Sequence, residues 1–111
     1  MKRYCLACDL KNDEAGIRAY DDHHKNIWPE IKESLKQSGI HEMEIFRTGN
    51  RLMMIIQVDE SFSFERKYSM DEANPVVQKW EALMSNYQQQ IPWAKPAVKW
   101  LLMERVFHFE A

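Results

Sequence analysis

The sequence predicts an α+β fold: a four-stranded antiparallel sheet with its helices on one face. Two patterns carry this. Apolar residues alternate with a period of two over residues 2–10, 40–47 and 98–109. They recur at three- and four-residue steps from Ile17 to Leu35 and from Val76 to Tyr87, the spacing of a helical face. The resulting order, β-α-β-β-α-β, is the ferredoxin-like plan, and right-handed crossovers keep both helices on the same side of the sheet. A chain of 111 residues, 45% of them apolar, suffices for one domain spanning 1–111 and too little for two.

Taken in order, residues 2–10 place Tyr4, Leu6, Cys8 and Leu10 on one face of a first strand. The C-x-x-C formed by Cys5 and Cys8 therefore points its two sulfurs to opposite faces, so it reads as two small hydrophobes and not as a redox or zinc pair. Asn12 or Asp13 caps a helix over about residues 13–27. Pro29 removes an amide and disfavours helix at Trp28, so a second segment begins there, with proline at its first turn, and closes at Ser38-Gly39. Strand 40–47 follows, then the hairpin signal Thr48-Gly49-Asn50 and a returning strand, Arg51 to Asp59. Ser61 to Tyr68 is a connection or a helical turn. Asn74-Pro75 starts the second long helix, which carries Val76, Trp80, Leu83, Met84 and Tyr87 on its apolar face. Pro92 and Pro96 bracket a loop with an exposed Trp93, and Val98 to Phe109 is the final strand.

Met53, Ile55, Leu101, Met103, Phe107 and Phe109 fall on the strand faces that do not meet the helices. Nothing else in the chain can cover them, so a second copy is expected to do so: a homodimer packed sheet to sheet, a dimeric α+β barrel.

Fifteen Lys and Arg against 17 Asp and Glu, with no basic run, exclude a nucleic-acid footprint. The longest apolar run, Leu52 to Ile56, is too short to cross a bilayer, and no signal-like stretch precedes the polar segment Lys11 to Glu14. A soluble, cytoplasmic protein without membrane partners is expected.

Four histidines, His23, His24, His41 and His108, show no i, i+4 pair of the kind that holds a metal on a helix. His23 and His24 stand about a hundred degrees apart around a helix. There is no Gly-rich phosphate loop and no G-x-S-x-G. His24 has Tyr20 four residues before it and Trp28 four after it, all three on the face that meets the sheet. An imidazole between a phenol and an indole, just ahead of a proline break, suits a pocket for a sugar or another polar ring; it equally suits a core histidine bonded to a carbonyl. Trp80 reads as core on spacing alone. Glu104 and His108 share the Trp100–Leu102–Val106 face of the last strand, roughly 13 Å apart, and Arg47 is either their counter-charge or a side chain solvated at its strand's end.

Tyr20 through Ile31 resembles the L-rhamnose mutarotase family, whose pattern Y-x-x-x-H-x-x-I-W-P-E is matched at every fixed position. Ser38-Gly39-Ile40-His41, Val77-Gln78-Lys79-Trp80 with Met84, and Val106-Phe107-His108 extend the resemblance over nearly the whole chain. It implies a small cytoplasmic sugar 1-epimerase with a dimeric ferredoxin-like fold and no cofactor or metal. His24 is implied as the catalytic acid/base, with Tyr20 and Trp80 as sugar-binding residues; Trp28, from its place on the same helical face, and His108 are further candidates for the pocket. Two positions depart from the family: a tyrosine of the second strand is replaced by Met43, and a tryptophan after Trp80 by Glu81. Both belong to the implied sugar pocket, so the implied substrate widens to a 6-deoxy-hexopyranose, L-rhamnose or L-fucose. The competing expectation on the same scaffold is a heme- or quinone-type monooxygenase or a non-catalytic ligand-binding module.

Overall fold

The computed structural model describes all 111 residues. Its elements are β1 (Lys2–Leu10), α1 (Glu14–Lys25), α2 (Pro29–Gln37), β2 (Ile40–Thr48), β3 (Arg51–Val58), α3 (Phe64–Glu72), α4 (Pro75–Ser85), β4 (Gln88–Gln89) and β5 (Leu101–Leu102). Strands run in the order β2-β3-β1-β4, all neighbours antiparallel, and β5 also pairs with β1. This is the expected ferredoxin-like sheet.

The caps set the helix boundaries. Asp13 accepts the Gly16 N–H at 3.0 Å and starts α1. A Cβ on Gly16 would lie 2.9 Å from that same carboxylate oxygen, so a larger residue there would have to displace the capping side chain. The chain leaves helix at Asn26 and re-enters it at Pro29, the first residue of α2. It turns out of α2 through Gly39 at φ +96°, left-handed backbone that favours glycine. Asn74 accepts the Val76 and Val77 N–H groups at 3.0 and 3.3 Å ahead of Pro75, starting α4.

Two expectations change. The connection over residues 61–68 is the start of a full helix, α3, capped by Ser63 and seated by Phe62 and Phe64 against Tyr4, with ring centroids 6.3 and 5.1 Å apart. The final strand, expected over Val98–Phe109, is only Leu101–Leu102 plus one bond from the Met103 N–H to the Cys5 carbonyl (2.8 Å). Continuing the register of Leu102 on Leu6 would set Arg105 opposite Arg3 and turn Glu104 onto the apolar side beside Tyr4. Like charges face to face and a carboxylate on an apolar face both oppose pairing. Residues beyond Met103 form an exposed arm, with Val106 94% and Phe107 79% exposed.

The core lies between sheet and helices in two clusters. Leu6, Ile40, Ile56, Val58 and Phe62 form one, and Cys8, Leu10, Tyr20, Leu52 and Met84 the other; Trp100 packs against both. Cys8 is fully buried, which pushes its thiol pKa up to about 12, and Cys5 lies on the opposite face, so the two remain unpaired. The sheet's other face carries Cys5, Ala7, Met53, Ile55, Phe46 and Leu101 by register. At its end Arg51 grips the buried Asp9 with two bonds, 2.7 and 3.1 Å, and Trp93 lies 5.2 Å from the guanidinium. No helix is long and apolar enough to cross a membrane.

Candidate active site

Helices α1 and α4 bring their aromatic residues together above the second core cluster. Tyr20 is 3% exposed and forms the floor. Its ring packs on the His24 imidazole at 4.3 Å, and its hydroxyl meets the Gln88 side chain. Burial holds the phenol well above the ordinary tyrosine range, so it stays protonated. Trp80 stands edge-on to His24, centroids 5.5 Å apart at 70°, and to Trp28 at 5.1 Å and 73°. Trp28 reaches this position because the break before Pro29 turns its side chain across to α4.

His24 Nδ1 lies 2.9 Å from the Tyr20 carbonyl oxygen. A carbonyl only accepts, so Nδ1 carries the proton, and in the neutral ring Nε2 keeps a lone pair. Partial burial is the largest influence on this ring and lowers its pKa; the backbone bond opposes it, and a charge on His23 would lower it further. The imidazole is thus held neutral, oriented and basic, while Arg47 and Asp21 close the end of the cluster through bonds of 2.6 and 3.1 Å. That ion pair takes Arg47, one of whose two expected roles is counter-charge to Glu104 and His108.

Of the expected site residues, Tyr20, His24, Trp28 and Trp80 converge, and three others lie elsewhere. Met43 faces the helices but packs with the first core cluster. Glu81 follows Trp80 by a hundred degrees of helix and faces α3. Burial and then Asp71 raise its pKa, with Lys67 and Lys99 opposing. His108 lies in the exposed arm, 3.5 Å from Glu110. Sequence reading passed over two residues that do join the cluster. His23 stands edge-on to Trp80 at 6.5 Å, and its Nε2 is 3.2 Å from the Tyr87 hydroxyl. The steps Gly16, Tyr20, His23 are those of one helical face and could have placed it there.

A neutral imidazole offering one lone pair among aromatic rings is equipment for proton transfer on a polar ring-shaped molecule, and the class is a ferredoxin-like α+β isomerase acting on sugars. The family is more definite: the L-rhamnose mutarotase pattern matches residues 3–109, and the chain belongs to that family. It is 41% identical over 109 residues to an L-fucose mutarotase of Xanthomonas campestris pv. campestris, covering 96% of this chain and 87% of the relative. It is 31% identical to an L-rhamnose mutarotase of Formosa agariphila over 95% and 97% of the two chains. The crystal structure of L-rhamnose mutarotase FA22100 from Formosa agariphila superposes with a TM-score of 0.72 at 27% identity, covering 99% of this chain and 100% of that one. Family membership sets aside the monooxygenase and binding-module readings.

Proposed function

We propose that the protein interconverts the α and β anomers of a 6-deoxy-hexopyranose, L-fucose ahead of L-rhamnose, with His24 as general acid and base. The carrying observation is the free Nε2 of an imidazole whose Nδ1 proton is committed to a backbone carbonyl. Nε2 takes the proton of the anomeric hydroxyl, and the imidazolium so formed gives that proton to the ring oxygen as the C1–O5 bond breaks and the open aldehyde forms. Rotation about C1–C2 and reclosure on the other face of the carbonyl run the same transfer in reverse, returning the proton from O5 to the anomeric oxygen through Nε2. No electrons are exchanged and nothing leaves the molecule, so the residues need no cofactor for this chemistry. Trp80 and Trp28 supply apolar faces for the pyranose, and Tyr20 supports the base from below. The ranking of L-fucose rests on the 41% identical relative.

Saturation transfer between the anomeric protons of L-fucose, and separately of L-rhamnose, tests this directly. Faster exchange with the protein is expected for L-fucose above L-rhamnose, and no acceleration of either would overturn the reading. The pH dependence follows from the lowered pKa of His24. The base is the neutral ring, so activity falls as pH drops through a value below the ordinary histidine pKa of about 6.5. A rate that declines already above pH 7 would assign the base elsewhere.

Homodimerisation through the open sheet face belongs to the same reading, as does a cytoplasmic protein without nucleic-acid or membrane partners. Phe46, 49% exposed, sits on that face beside Met53. Light scattering is expected to give twice the chain mass of 13.3 kDa, and Phe46→Glu to give the single mass. A wild-type monomer would remove the dimer from the proposal.

A further inference from the structure

The mutarotase reading leaves unused a second imidazole that meets the same indole. His23 comes from α1 and Tyr87 from the residues after α4, and their 3.2 Å bond ties together the two helices that carry the base and the platform. Tyr87 is the fixed end. Its carbonyl accepts the Lys11 N–H at 2.8 Å, and its own N–H donates to the Met84 carbonyl at 3.0 Å. Its ring passes over Gly16, where a Cβ would stand 3.7 Å away in ordinary contact. His23 is the other end, and its ring sets one edge of the Trp80 environment, 84° to the indole. His24 needs no such help, since its own bond to the Tyr20 carbonyl orients it.

We propose that His23 and Tyr87 form a latch that fixes the tilt of Trp80 against the bound pyranose, which makes His23 a positioning residue for sugar binding. The latch rests on the mutarotase reading. A platform that touches ground state and transition state alike affects KM and spares kcat. Losing one hydrogen bond of ordinary net worth corresponds to about a 5- to 10-fold change.

Initial-rate polarimetry over a range of L-fucose concentrations reads the latch. Tyr87→Phe, which keeps the ring and removes only the hydroxyl, is expected to raise KM about 5- to 10-fold with kcat within about twofold of wild type. His23→Ala should match it, and His23→Gln, whose amide can still reach the hydroxyl, should restore KM. Unchanged KM in Tyr87→Phe would make the pair a helix clamp only. A fall in kcat beyond about tenfold in both His23→Ala and His23→Gln, with Tyr87→Phe unaffected, would place His23 in proton transfer and reject the latch. Wild-type protein inactive on both sugars would instead remove the mutarotase reading and the latch's role with it, a result distinct from an active wild type whose variants bind sugar normally.

Discussion

Replacing His24 with alanine is expected to lower the mutarotation rate on the order of 100-fold or more, toward the uncatalysed exchange. General acid/base catalysis is typically worth about 10²–10⁴-fold, and no other side chain of the ring cluster offers an oriented lone pair. Tyr20 is held protonated by its burial, and the His23 ring is engaged with Tyr87. The substitution should leave the fold intact. The His24 ring is only partly buried, and its one side-chain bond goes to a backbone carbonyl of its own helix. Anomeric exchange by NMR, read beside far-UV circular dichroism and a thermal scan, checks both halves. A folded His24→Ala protein that exchanges anomers at the wild-type rate would overturn the assignment of the base.

The largest stability effect is expected at Leu52→Ala. Leu52 is 1% exposed in the middle of the sheet, paired with Cys8 on one side and Arg47 on the other. It packs in the cluster with Leu10, Tyr20 and Met84. Truncating a fully buried leucine removes its transfer free energy and leaves a cavity that rigid neighbours fill poorly, about 2–5 kcal/mol. For a chain of this size that lowers Tm on the order of 10 °C or more. Urea unfolding at a fixed protein concentration should show a lower midpoint with an unchanged slope. A loss below about 1 kcal/mol would mean that Tyr20 and Met84 collapse into the space, and the floor under His24 would then move with them.

Local chemistry made most of the frame legible. The Asp13 and Asn74 caps, the break ahead of Pro29 and the turn at Gly39 are fixed by neighbours within a few residues, and they fall where those residues imply. The same holds for the first four members of the site. Tyr20, His24 and Trp28 are steps of one helical face, and Trp80 is inward on another, so placing α1 and α4 on one side of the sheet brings them together. The helix at Phe64–Glu72 was less legible because its outward positions are mostly polar, and its seat, Phe62 and Phe64 on Tyr4, is a contact across the fold.

By itself, then, the sequence determined the β-α-β-β-α-β order, the helical face carrying His24, and the family, because each depends on spacing along a short stretch of chain. Only the tertiary structure decided the matters of register and rotation. Antiparallel pairing with β1 would have set Arg105 against Arg3, which ends β5 at Leu102 and carries His108 away from the rings. A hundred degrees of helix separates Glu81 from Trp80, and the packing of α4 against both α1 and α3 sends the two to different neighbours. The bond between His23 and Tyr87 spans 64 residues, so no local pattern announces it. It exists because the fold brings the α1 face that carries His23 against the residues that follow α4.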